Sequence, residues 1–201
     1  MTAQVPPLKF ADFDTTLRLL DFKGLVEALR EMNKRGCDRL DRWVMTEPLK
    51  TGEENDWLLQ PAWQFGRHFG IKMANIFPGN LARGIDTIQG IFVLFDGTTG
   101  AAAAVIDGPA ITLRKTAANS ALAADYLARK NARRLLMVGA GRLAPHLIEA
   151  HATMRPYGEV MIWNRTAEKA RALAAGLDGP RMRVRAVPDL KAAVGEADVI
   201  C

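Results

Sequence analysis

Gly139-Ala140-Gly141-Arg142-Leu143-Ala144 is the segment whose residue types and spacing could do chemistry most directly. It follows Arg134-Leu135-Leu136-Met137-Val138, an apolar run too short for a helix, and leads into helical spacing from about Leu143 to Met154. A strand that becomes a helix through G-x-G-x-x-A suits a pyrophosphate. The first glycine permits the tight turn, the second lets backbone approach the phosphates, and the small third residue lets helix and strand pack closely. The helix N-terminus adds unpaired N–H groups and a partial positive charge. Pro145 falls in the first helical turn, where its missing donor has no partner to lose. A tight turn without a ligand fits the same spacing, so the flanking elements decide. A strand before, a helix after and a second strand about 20 residues on favour a dinucleotide.

That second strand runs into Asn164-Arg165-Thr166. A site for NAD normally carries Asp or Glu here to accept from the ribose 2′-hydroxyl, a carboxylate that repels a 2′-phosphate, whereas an arginine favours it. NADP(H) is therefore expected in preference to NAD. Asn164 and Thr166 also suit the cap of the next helix with Arg165 solvated, and both roles can hold together.

The elements that must position these residues follow from periodicity. After the glycine segment the pattern alternates: a strand at Val160–Trp163, a helix at Ala167–Ala175, a strand at Met182–Val187, a helix at Leu190–Ala197 and a last strand at 197–201. Such alternation implies a parallel sheet with crossover helices, a Rossmann-type domain over 129–201. Residues 1–128 read as an α+β domain. Leu17, Leu20, Leu25, Val26 and Leu29 recur at helical spacing, with Gly24 dividing two short helices and Gly36 ending the second. Strands are expected at Arg42–Met45, Trp57–Trp63, Gly70–Phe77, Gly90–Phe95 and Ala101–Ile106, the last two joined as a hairpin through Asp96-Gly97-Thr98-Thr99-Gly100. An alanine-rich helix over Thr116–Arg129 then leads into the glycine domain.

Composition limits the function classes. Of the 201 residues, 49% are hydrophobic and 24% charged, which argues for a folded chain over a disordered one. The longest apolar runs fall far short of the roughly 20 residues that span a bilayer, so no membrane association is expected. Cys37 and Cys201 cannot make a disulfide framework and the N-terminus has no secretory pattern, so the expected compartment is the cytoplasm. The net charge of +5 raises nucleic acid as a partner, but the charges have other roles. Arg129, Lys130, Arg133 and Arg134 suit the negative end of the alanine-rich helix. Arg181, Arg183 and Arg185 alternate with Met182, Val184 and Ala186 as one polar strand face, and no aromatic residues interleave to stack bases.

Four segments in order carry a resemblance: Lys72-Met73-Ala74-Asn75-Ile76-Phe77-Pro78-Gly79-Asn80, Asp96-Gly97-Thr98-Thr99-Gly100, Leu113-Arg114-Lys115-Thr116-Ala117-Ala118-Asn119-Ser120, and the glycine segment. Together they resemble the ornithine cyclodeaminase/mu-crystallin family. The resemblance implies hydride transfer between a nicotinamide and the carbon bearing an amine or imine next to a carboxylate. It implies that Lys72 meets the substrate and binds its carboxylate or assists proton transfer, that Thr87 lies near the cofactor, and that Thr116, opening the long helix, lies near its phosphates. Two positions depart from the family pattern. Lys50 of Pro48-Leu49-Lys50 and Lys115 before Thr116 stand where the family carries arginine, which keeps the charge and loses the bidentate fork. Arg114 is one residue from the second of these, turned by about 100° on a helix.

The expected activity is NADP(H)-dependent reduction of a small imino acid, of the ketimine or Δ1-pyrroline-2-carboxylate reductase type. Lys72, Lys50, Lys115 and Arg114 form the candidate substrate set. The candidate cofactor set is Thr87, Lys115, Thr116, Gly139, Gly141, Arg142, Leu143, Ala144, Asn164, Arg165 and Thr166, and no metal is assigned. Ornithine cyclodeamination and non-catalytic NADPH binding are the alternatives. The resemblance also implies a homodimer through the N-terminal domain and places the family's catalytic aspartate beyond residue 201. With the fourth strand last, the 201-residue chain alone is expected to be inactive and prone to associate through that apolar strand.

Overall fold

A computed structural model describes residues 7–36, 38–39, 41–180 and 182–201, so Cys37 and Arg181 lie outside the described residues. Two compact units result: the described residues through Leu20 with Met32–Thr112, and Asp21–Glu31 with Leu113–Cys201. The division falls earlier than the 128/129 boundary expected from sequence. The reason is packing. Phe22 and Val26 bury against Ala117, Ala118, Ala121, Leu122 and Ala150, which draws two helical segments into the glycine-containing unit.

The first unit is built on a seven-stranded sheet. In chain order its strands are β1 (Lys9–Ala11), β2 (Asp38–Arg39), β3 (Trp43–Pro48), β4 (Glu54–Gln64), β5 (His68–Ile76), β6 (Ile88–Asp96) and β7 (Ala102–Asp107). The order is β1-β7-β6-β5-β4-β2, with β3 also on β4; β1 runs parallel to β7 and every other pairing is antiparallel. Three-residue β1 is too short for its period to show in the sequence. The expected hairpin is present. One Asp96 carboxylate oxygen accepts from the backbone N–H groups and hydroxyls of Thr98 and Thr99, which holds the carboxyl well below the usual range. Gly90 is required by close approach: a Cβ there would lie 2.2 Å from the Met73 carbonyl oxygen.

The pleat gives this sheet two faces. Cross-strand neighbours Trp43, Leu59, Met73 and Ile91 share one face, as do Pro61, Ile71, Val93, Val105 and Phe10. It is an apolar face left open, with Trp43 60% and Phe10 75% exposed.

Helices α1 (Phe13–Leu19) and α2 (Phe22–Arg35) break at Leu20-Asp21. Gly24 is not the break, as expected from sequence, because it lies in the first turn of α2 and its N–H donates to Asp21 Oδ1 at 2.9 Å. Gly36 does end α2, with φ of 73° and its N–H on the Met32 carbonyl at 2.8 Å. Helix α3 spans Gly108–Leu127, eight residues earlier at its start than the Thr116 opening read from sequence. Asp107 Oδ1 accepts from Ala110 N–H at 2.7 Å, so Asp107 caps the helix and Thr116 lies in its interior.

The second unit carries a parallel four-stranded sheet ordered β10-β9-β8-β11. The strands are β8 (Arg134–Val138), β9 (Glu159–Trp163), β10 (Arg183–Ala186) and β11 (Val199–Ile200), with crossover helices α4 (Ala144–Met154), α5 (Ala167–Leu177) and α6 (Leu190–Glu196). This is the order of the first four strands of a Rossmann sheet. Leu135, Met137, Val160, Ile162 and Val184 face α4 and α5, while Leu136 and Met161 face Ala193 of α6. Among the described residues no helix is long and apolar enough to cross a membrane.

The basic cluster does not sit on the last turn of α3, as the sequence suggested, because the helix ends at Leu127. Asp198 instead accepts from the backbone N–H groups of Arg133 and Arg134 at 2.7 and 2.9 Å and pairs with the Arg129 side chain at 2.5 Å. The end of α3 is closed by buried Arg155, which donates to the carbonyls of Ala124 and Arg129. Arg185 is likewise paired, with Glu159 and Glu196.

Between α3 and α4, His151 is 3% exposed, with Nε2 3.1 Å from Ser120 Oγ and no partner at Nδ1. Burial, aided by the Arg155 cation, pushes its pKa from near 6.5 down to about 4. The unfolded chain therefore binds the extra proton between these values. Stability is fully present above about pH 6.5 and falls on acidification toward pH 4, by on the order of 3 kcal/mol in total. Urea unfolding at pH 7 and pH 4.5 is expected to show this loss, and His151→Leu to remove most of it. Gly90→Ala is expected to lower stability by about 1–3 kcal/mol in the same assay, because backbone must move to admit the methyl group.

Candidate dinucleotide-binding site

Strand β8 ends between two neighbours, and both hold the chain where it leaves the sheet. Val138 N–H donates to the Cys201 carbonyl and Gly139 N–H to the Trp163 carbonyl, each at 2.7 Å. Gly139 then turns with φ of 120°, a conformation that other residues rarely adopt. Gly141 is different. Its φ is not positive and a Cβ there would meet nothing within 4 Å, so no contact among the described residues requires glycine at this position. Open space in front of Gly141 is what the close approach of a phosphate needs.

Helix α4 begins immediately after, with no side-chain cap on its N-terminus. The Ala144 N–H closes back on the Gly141 carbonyl at 3.0 Å, while the Gly141 and Leu143 N–H groups meet no acceptor among the described residues. Ala144 is buried in the core against the sheet, the role expected of the small third residue. Pro145 occupies the first turn. Unpaired donors, an uncapped helix end and a glycine with free space fit a pyrophosphate. Arg142 lies exposed on the turn.

At the end of β9, Asn164 turns its side chain back to the glycine turn, where Oδ1 accepts from Ala140 N–H at 3.1 Å. Its Nδ2 donates to the Thr166 carbonyl at 2.9 Å. Arg165 and Thr166 are exposed, and Thr166 makes no side-chain cap to α5. The structure thus brings Gly139, Gly141, Arg142, Leu143, Ala144, Asn164, Arg165 and Thr166 to the carboxyl ends of β8 and β9.

The other candidates are placed as follows. Lys115 and Thr116 are exposed on α3. Arg114 is committed elsewhere: it pairs with Glu149 at 3.1 Å, and its guanidinium lies 4.3 Å from the Phe22 ring centroid. In the first unit, Lys72 lies half-buried on β5 between Gln60 and Phe92, on the face opposite Met73. Lys50 lies in the exposed turn beyond the Pro48–Glu54 pair, and the Thr87 carbonyl accepts from Phe77 N–H at 2.8 Å.

Sequence reasoning passed over His146 in the first turn of α4. Its Nδ1 is buried without a hydrogen-bond partner among the described residues, and burial followed by the Arg114 cation lowers its pKa. A histidine just after the glycine segment was the available signal.

The chain matches the ornithine cyclodeaminase/mu-crystallin family over residues 9–201. It is 37% identical over 193 residues to a Δ1-pyrroline-2-carboxylate reductase of Paracoccus denitrificans, covering 96% of this chain and 60% of that relative. The iminosuccinate reductase of Paracoccus denitrificans, solved with NAD+, superposes with a TM-score of 0.77 at 25% identity, over 96% of this chain and 60% of that one. The Δ1-pyrroline-2-carboxylate reductase of Thermococcus litoralis, solved with NADH and L-proline, shares the fold with a TM-score of 0.78 at 20% identity, over 96% of this chain and 60% of that one. The chain spans 60% of the length of these relatives. With its glycine turn, parallel sheet order and this match over nearly its whole length, the chain belongs to the ornithine cyclodeaminase/mu-crystallin family.

Proposed function

We propose that this protein transfers a hydride between NADP(H) and the α carbon of a small imino or amino acid, as a ketimine or Δ1-pyrroline-2-carboxylate reductase does. The observation that carries the reading is the open, uncapped glycine turn beside exposed Arg165 and Thr166, with no carboxylate at position 164. The 37% identity to a Δ1-pyrroline-2-carboxylate reductase supports the substrate class.

Gly141 and Leu143 N–H groups and the α4 N-terminus hold the pyrophosphate. Arg165 meets a 2′-phosphate with a permanent charge. The bound dinucleotide supplies the hydride that forms the new C–H bond. The family resemblance assigns the substrate carboxylate to Lys72, Lys50 and Lys115, and a Lys72 ammonium that passes its proton to the imine nitrogen gives the iminium that accepts the hydride. The family resemblance assigns Thr87 and Thr116 to the cofactor. The exposed Trp43–Met73–Ile91 face is proposed to pair with a second copy of this chain, burying apolar surface that water otherwise covers. A reducing, cytoplasmic setting suits the free thiol of Cys201.

In a protein spanning the full length of these relatives, NADPH consumption, followed by absorbance, is expected with Δ1-pyrroline-2-carboxylate, and no ammonia release is expected from ornithine. Ammonia release from ornithine without imine reduction overturns the assignment. Gly141→Val is expected to weaken NADPH binding by roughly a hundredfold, since the side chain fills the space left for phosphate. Met73→Glu is expected to halve the mass measured by light scattering; an unchanged mass contradicts the proposed pairing face.

A further inference from the structure

Both polar ends of the Asn164 carboxamide are used inside the chain. Oδ1 takes the Ala140 N–H at 3.1 Å and Nδ2 reaches the Thr166 carbonyl at 2.9 Å, beside the bond from Gly139 N–H to the Trp163 carbonyl at 2.7 Å. A donor faces one end and an acceptor the other, so only one orientation of the amide satisfies both. We propose that Asn164 is a positioning residue that locks the glycine turn to the turn entering α5, and is not a ligand of the adenosine ribose. It sets the affinity for NADPH and NADH alike, and discrimination between them falls to Arg165 and Thr166. The inference rests on the dinucleotide reading above.

The chemistry of the alternatives sharpens this. A carboxylate at 164 keeps an acceptor for Ala140 N–H but sets its second oxygen against the Thr166 carbonyl, where no proton lies between them. An aspartate reaching for a ribose hydroxyl must first leave Ala140 and release the turn. Arg165 and Thr166 carry no such obligation: both are exposed, and neither side chain makes a bond among the described residues. The residue at the position that ordinarily reads the ribose thus shapes the phosphate cradle, and its neighbours read the 2′ substituent.

The test titrates NADPH and NADH separately into wild type, Asn164→Ala, Asn164→Asp and Arg165→Ala, following nicotinamide fluorescence. Hydrogen exchange of the segment around 138–142 is measured without ligand. Asn164→Ala is expected to weaken both dinucleotides by the same factor, roughly tenfold, and to speed exchange in the turn. Asn164→Asp, which retains the Ala140 acceptor, is expected to keep exchange near wild type, and Arg165→Ala to shift the NADPH-to-NADH preference. A tenfold or greater change of the NADPH-to-NADH preference in Asn164→Ala overturns the inference, as does unchanged exchange in that variant. Wild type that binds neither dinucleotide defeats the functional reading, and the exchange result still decides the role of Asn164.

Discussion

The glycine-containing unit depends on one constraint, the exit of β8 between two paired neighbours. Leu135, Leu136 and Met137 are almost fully buried on both faces of the sheet, and each such side chain contributes roughly 1.5–3 kcal/mol when removed from water. The strand cannot slide without losing them. Val138 bonds to Cys201 just after β11 on one side and Gly139 to Trp163, the last residue of β9, on the other, which fixes the turn at the point where the strand order reverses. From there the chain leaves through Gly139 at a φ of 120°, which other residues rarely adopt. The direction of α4, and hence where its unpaired N–H groups point, follows from that single turn.

The charges of this unit are arranged around the same frame. Asp198 gathers Arg129 and the backbone N–H groups of Arg133 and Arg134 at the entry of β8 and β11, and those bonds keep its carboxyl below the usual range. Arg155 closes α3, and Arg185 joins Glu159 to Glu196. The charges of Arg129, Arg155 and Arg185 are thus spent on joining elements. At the carboxyl ends of the strands, by contrast, Arg165 stands exposed at the turn that follows β9.

The parallel domain was legible in the sequence because each strand is short, apolar and followed by a helix; β8 matches its expected bounds and β9 begins one residue early. The glycine segment was legible for the same reason. The start of α3 was not, because Asp107-Gly108 reads as the close of a hairpin strand until the Ala110 bond shows Asp107 to be a cap. Gly24 misled in the opposite sense, since glycine in a first helical turn looks like a break unless the Asp21 cap is visible. Asn164 was found by its position, yet the partners of its side chain lie at Ala140 and Thr166, and no local pattern encodes the contact with Ala140 across 24 residues. Arg114 illustrates the same limit: its commitment to Glu149 and Phe22 depends on how three helices meet.

We propose that this glycine turn and the segment after β9 hold a dinucleotide bearing a 2′-phosphate. The most direct measurement is the pair of dissociation constants of the wild-type protein for NADPH and NADH under one buffer and salt condition. Tighter binding of NADPH, by roughly tenfold or more, is the predicted result. Equal or tighter binding of NADH contradicts the reading of Asn164-Arg165-Thr166, and binding of neither contradicts the site itself.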